Sequence, residues 1–144
     1  MKKIYGLVAM GLLLLSPAMA DHRVIDAKEL PHAARTFLER HFNKEEVSHI
    51  TVDRDVLDND YKVVFASGAT VEFDKQGAWT EVDCKTENVP MAIVPKPIRN
   101  SIDERFGGQA VQKIERDRHG YEVRLANGLD LEYNHRFHLV EVDD

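Results

Sequence analysis

Carboxylates are the most abundant reactive groups in this chain: 25 Asp and Glu stand against 19 Lys and Arg, with seven His and one Cys. Catalysis needs a nucleophile with a base beside it, or an acid and a base converging on one substrate. Ser48, Ser67 and Ser101 sit in no nucleophile motif, Ser16 lies in an apolar N-terminal run, and Cys84 has no histidine near it in sequence. His135 and His138 are three apart, a spacing that sends two strand residues to opposite faces. No cysteine or His–carboxylate cluster spells out a closed zinc site. His22, near the N-terminus, could help a free amine capture copper, or belong to a flexible tail. The residue types therefore point away from an enzyme and call for no cofactor. They leave a surplus of carboxylates available for binding.

The first twenty residues account for part of the composition. Lys2 and Lys3 precede an uncharged apolar run from Ile4 to Leu15, and Ala18-Met19-Ala20 presents small residues where signal peptidase reads. The run is too short to cross a hydrocarbon core of about 30 Å as a helix. Residues 1–20 thus read as a signal peptide with no membrane anchor, and a periplasmic or secreted destination follows. Cleavage after Ala20 would leave 144 − 20 = 124 residues, one ordinary domain spanning 21–144. Without Lys2 and Lys3, 17 basic residues face 25 acidic ones, a net of −8. Such a surface repels nucleic acid and anionic lipid; it favours basic partners or simply keeps the protein dissolved. Cys84 has no cysteine to pair with inside the chain, so it is either a buried thiol or a handle for an intermolecular disulfide.

The elements that must position these groups are legible through an internal repeat. A shift of 64 sets Leu30-Pro31 on Val94-Pro95, Ala34 on Ile98, Leu38 on Ile102, Phe42 on Phe106 and Ile50 on Ile114. After a four-residue shortening, a shift of 60 sets Tyr61–Asp74 on Tyr121–Asn134 and Glu81-Val82-Asp83 on Glu141-Val142-Asp143. The copies run over about 29–83 and 93–144, with 84–92 as linker. Each opens with a helix whose apolar stripe is Ala34, Phe37, Leu38 and Phe42 in one case and Ile98, Ile102 and Phe106 in the other. Four alternating stretches follow: 47–53, 61–66, 69–74 and 78–83, then 111–117, 121–126, 129–134 and 137–142. The expected class is α+β, a tandem repeat of a helix plus a four-stranded antiparallel sheet.

Loop chemistry registers the central hairpins. Ala66-Ser67-Gly68 and Ala126-Asn127-Gly128 place glycine at the left-handed third position of a three-residue loop. Tyr61 then faces Phe73 and Val63 faces Val71, while Tyr121 faces Tyr133 and Val123 faces Leu131, all on the buried side. The other side carries Lys62 against Glu72, Arg124 against Asp130, and Glu122 against Glu132. Opposite charges so placed contribute about 0.2–1 kcal/mol, and like charges cost something similar.

The repeated Gly-x-x-[Val/Leu]-Glu-[Phe/Tyr]-[Asp/Asn] element (68–74 and 128–134), the following Gly77-Ala78-Trp79 and the preceding Pro-started, Phe-ended helix together resemble the PepSY-like, β-lactamase-inhibitor-like domains of exported bacterial proteins. The resemblance covers about residues 29–144. It implies the fold of the β-lactamase inhibitory protein: tandem helix-plus-four-strand units whose sheets join into one curved, concave surface, helices behind. Phe137 and Leu139 stand where the first copy has Gly77 and Trp79, a departure from the pattern at that turn.

An exported binding module follows as the expected function, holding or inhibiting a protein partner on its open sheet face, with an envelope hydrolase as one candidate partner. A small-ligand or metal-binding envelope protein is the alternative. The partner-binding residues expected on that face are Trp79, Glu81, Lys62, Glu72, Glu122, Arg124, Asp130 and Glu132. Trp79 is open to two readings, an exposed anchor beside Glu81 if Thr80 and Val82 turn inward, or a core residue at the sheet edge.

Overall fold

A computed structural model describes residues 22–54 and 59–144; the expected leader, residues 1–20, lies outside the described residues. In chain order the elements are β1 (His22–Ile25), α1 (His32–His41), β2 (Val47–Arg54), β3 (Asn59–Phe65), β4 (Thr70–Phe73), β5 (Trp79–Asp83), α2 (Lys96–Arg105), β6 (Val111–Arg116), β7 (Gly120–Leu125), β8 (Asp130–Asn134) and β9 (Leu139–Asp143). Short 3-10 turns at Ala27–Glu29 and Met91–Ile93 precede the helices.

All the strands form one antiparallel sheet in sequence order, β1 to β9. This corrects the expectation of a tandem repeat of helix plus four-stranded sheet. No boundary falls between β5 and β6: Glu81 pairs with Glu115, Val82 with Ile114 and Asp83 with Lys113. The connecting segment is stitched to β6 as well, through Cys84 N–H to the Gln112 carbonyl (2.9 Å) and Val89 N–H to the Val111 carbonyl (2.8 Å). The outer backbone groups of β5 are used by β6, so neither half owns a sheet of its own. The ninth strand, β1, pairs with β2 from His22↔Asp53 to Ile25↔Ile50. His22 is therefore part of an edge strand and not of a flexible tail; four residues are too few to display alternation.

The hairpin registers agree with the loop chemistry. Tyr61 faces Phe73 and Val63 faces Val71; Tyr121 faces Tyr133 and Val123 faces Leu131. Gly68 and Gly128 close the two loops at φ 95° and 91°, a region costly for any residue with a Cβ. One face of the sheet and the two helices share a single core containing Ala34, Phe42, Phe65, Val71, Phe73, Val82, Ile98, Ile102, Ile114, Val123, Leu125 and Leu131. Phe37 of α1 meets Phe73 edge-on at 5.5 Å, Phe42 stacks on Phe65 at 5.2 Å, and the Tyr133 hydroxyl donates to Ser101 Oγ on α2 at 2.9 Å. The helices occupy this side, so the other face of the sheet stays uncovered by them.

The β4–β5 and β8–β9 turns keep the same shape with different residues. Asp74 Oδ1 accepts from the Gln76 and Ala78 amides, and Asn134 Oδ1 accepts from the Arg136 and His138 amides. Gly77 (φ 86°) is needed for contact: a Cβ there would lie 2.9 Å from Pro31 Cβ and from the Ala34 nitrogen. Phe137 holds a positive φ of 68° in the matching place and stacks on Tyr121 at 5.4 Å.

Candidate functional site

On the open face, register partners form a row crossing the sheet: Thr51, Lys62, Glu72, Glu81, Glu115, Glu122, Glu132 and Glu141, one residue from each of β2 to β9. Six consecutive strands thus present a glutamate at the same level. Neighbouring strands lie about 4.8 Å apart, so each carboxylate has another beside it. A parallel row runs Thr70, Asp83, Lys113, Arg124, Asp130 and Asp143.

The second row contains most of its own neutralisation. Arg124 clamps Asp130 through Nε to Oδ1 (2.9 Å) and Nη2 to Oδ2 (3.2 Å), and Lys85 pairs with Asp83 at 2.8 Å. Lys113 reaches into the glutamate row, 3.0 Å from Glu115 and 3.6 Å from Glu81. Of the two opposite-charge pairs expected from the hairpins, Arg124 and Asp130 close to an ion pair; Lys62 and Glu72 stand opposite each other in register.

Burial, with like charge added to it, shows in the titration of the row. Partial burial, then a hydrogen bond with Glu72, raises the pKa of Glu81; burial and a hydrogen bond with Glu81 raise that of Glu115. Glu122 is raised by burial and by the charges of Glu115 and Glu132. Lys113 is held protonated by its hydrogen bond to Glu115. A cleft of about 510 Å³ lies over the centre of the row, lined by Glu72, Glu81, Glu115, Glu122 and Glu132, with Arg116 and Tyr121. Every glutamate of this set presents oxygen, an arrangement suited to cationic or hydrogen-bond-donating groups.

Trp79 takes the core alternative. It is 8% exposed, under Phe37 at 6.4 Å, with Arg116 across its ring. A bulge between Glu72 and Phe73 explains why alternation left the question open. The bulge lets Trp79 and Val82, an odd number of residues apart, both turn inward, opposite Phe73 and Val71, while Glu81 stays outward. The same irregularity sets Leu139 on Tyr133 and Val142 on Leu131. Cys84 is buried and its thiol pKa is pushed up to about 11, chiefly by burial, so it is a poor nucleophile. His135 and His138 are both exposed. Among the described residues no group of three or more His, Cys, Asp or Glu is arranged to hold a metal ion.

Sequence reasoning brought Glu122, Glu132, Glu72 and Glu81 to this face and missed Glu115, Glu141 and Lys113. The repeated Glu-Val-Asp at 81–83 and 141–143 was a usable signal for Glu141. Nothing local reveals Glu115 or Lys113, because their place depends on β5 pairing with β6.

Comparison with known proteins agrees with this architecture. The family model described as "Putative beta-lactamase-inhibitor-like, PepSY-like" matches residues 18–63 and 59–141. The chain belongs to this PepSY-like family. Among solved structures, a protein from Bacteroides vulgatus ATCC 8482 described as a "putative periplasmic protein from DUF2874 family" is 38% identical, with 86% of this chain and 98% of that one covered and a TM-score of 0.84. A Bacteroides thetaiotaomicron protein described as a "putative calcium-regulated periplasmic protein" is also 38% identical over the same shares, with a TM-score of 0.82. A second Bacteroides vulgatus protein, described as a "putative periplasmic protein of unknown function", is 34% identical over 85% of this chain and 99% of its own, with a TM-score of 0.80. Comparison with curated proteins finds no match. The chain is a protein of the bacterial envelope compartment, periplasmic or secreted, and no helix among the described residues is long and apolar enough to cross a membrane.

Proposed function

We propose that the protein is a non-catalytic binding module of the cell envelope that holds, and by holding can inhibit, a protein partner through a basic segment laid across the glutamate row. One observation carries this reading: six register-aligned glutamates from β4 to β9, into which Lys113 reaches to pair with Glu81 and Glu115. Like charges side by side oppose folding, so the row costs stability that binding of a basic group would return. An envelope hydrolase is one candidate partner. Residues 1–20 serve in this reading as an export leader removed after Ala20, which N-terminal sequencing of the exported protein checks.

A second reading has its own support. The Bacteroides thetaiotaomicron relative is described as calcium-regulated, and hard divalent cations take oxygen ligands; since no three acidic residues among those described converge as a metal site, calcium would have to draw glutamates of the row together. The double replacement Glu122→Gln with Glu132→Gln separates the two. Under the first reading it weakens capture of a lysine- or arginine-rich partner and flattens the salt dependence of capture, with calcium indifferent. Under the second, calcium raises the melting temperature of the unaltered protein and loses that effect in the double variant.

A further inference from the structure

β5 and β9 occupy equivalent places, and one of them is covered. Facing β4, β5 sets Asp83 on Thr70, Val82 on Val71, Glu81 on Glu72 and Trp79 on Phe73, with one bulge. Facing β8, β9 sets Asp143 on Asp130, Val142 on Leu131, Glu141 on Glu132 and Leu139 on Tyr133, with the bulge in the same place. The far side of β5 is occupied by β6, and Val82 is 0% exposed. Among the described residues no strand lies on the far side of β9, and Val142 is 47% exposed.

The β5–β6 joint shows what such an edge accepts. Ile114 lies opposite Val82 and Lys113 opposite Asp83. Arg116 lays its guanidinium on the Trp79 ring and donates from Nε to the Trp79 carbonyl, at the bulge. The incoming strand therefore brings Lys, an aliphatic residue, one spacer and Arg, antiparallel. On β9, Asp143 and Val142 stand where Asp83 and Val82 stand, and Glu141 stands where Glu81 pairs with the lysine; Leu139 takes the place of Trp79 and leaves the arginine the backbone carbonyl at the bulge without the aromatic ring. Glu141, Asp143 and Asp144 add negative charge to this edge.

We propose that the outer edge of β9 is a strand-addition site, taking an extended segment of a partner protein with the pattern Lys-aliphatic-x-Arg, antiparallel to β9. Main-chain hydrogen bonds supply the general attraction in such recognition, and the side chains supply selectivity. The acidic edge also selects against a second copy adding β9 to β9, because that pairing would set Glu141 and Asp143 against carboxylates. The site lies on the edge of the sheet and shares Glu141 with the glutamate row, but its main-chain pairing does not rest on that reading.

The test uses the purified protein and the peptide Ala-Val-Gln-Lys-Ile-Gln-Arg-Asp, which is residues 110–117 with glutamine in place of Glu115. A control peptide carries Glu at both basic positions. Nitrogen-15 NMR titration is expected to shift the amides of residues 140–143 and to slow their hydrogen exchange. The control peptide should bind about tenfold or more weakly, a difference of about 1.4 kcal/mol. Val142→Lys, a substitution at an exposed position, should abolish the shifts with the fold intact, while Val24→Lys, at an exposed position on the opposite edge strand, should leave them unchanged. Shifts confined to the open face or to β1, equal binding of the control peptide, or no shift at millimolar peptide would each overturn the proposal. So would a dimer in sedimentation that Val142→Lys dissociates, since the occupant would then be a second copy.

Discussion

The guanidinium of Arg116 lies 4.0 Å from the centre of the Trp79 ring, and its Nε donates to the Trp79 carbonyl at 2.7 Å. One side chain on β6 thereby covers the largest aromatic of β5 and satisfies the carbonyl exposed by the bulge. A stacked guanidinium contributes about 0.5–1 kcal/mol, more when desolvated, and a charged hydrogen bond about 1.5–3 kcal/mol. Arg116→Ala is expected to lower stability in urea by about 2 kcal/mol. Arg116→Lys should recover little of it, because an ammonium cannot stack and donate in the same plane.

The same joint predicts the fate of a half-chain. Residues 21–86 alone would bare the outer edge of β5 together with Val82, which β6 otherwise covers, and an uncovered apolar edge invites aggregation. The expected result is no sharp unfolding transition. A fragment melting as cleanly and as high as the whole chain would refute the single-sheet account.

Acid should strengthen this protein before it weakens it. Glu81, Glu115 and Glu122 have folded pKa values above the ordinary 4.5, so the folded state binds protons more tightly there than the unfolded chain. Their contribution to stability is fully present below the unfolded value and is lost as pH rises through the folded values. Asp83 is shifted the other way, by its bonds to Lys85 against an opposing effect of burial; its contribution is lost as pH falls below 3.8. Melting temperature should therefore rise as pH drops through the raised folded values toward 4.5 and fall again below 3.8. Replacing Glu81, Glu115 and Glu122 by glutamine together should flatten the rise.

Two glycines should answer differently to alanine. A Cβ at Gly120 would sit 2.0 Å from the Tyr133 carbonyl oxygen on the neighbouring strand, whereas one at Gly128 would meet nothing within 4 Å. Gly128→Ala pays only for its left-handed backbone, about 1–2 kcal/mol. Gly120→Ala must push β7 and β8 apart, and a loss above about 4 kcal/mol or failure to fold is expected. Chemical denaturation of both variants checks the order.

What the sequence determined by itself was local or repeated. Loop glycines fix the register of both hairpins, so the pairs Lys62–Glu72, Glu122–Glu132 and Arg124–Asp130 follow from residue types alone. Aligned apolar positions likewise located both helices and the residues that became core. Tertiary structure decided everything that depends on which strand lies beside which. That β5 continues into β6 follows from backbone groups with no residue code of their own, and it replaced the expected tandem of helix-plus-four-strand units with one nine-stranded sheet. Trp79 went inward because a bulge breaks strict alternation, and a bulge leaves little trace in residue types. The full length of the glutamate row emerged only when every register added in phase, since one slipped residue on any strand would have turned its carboxylate to the other face.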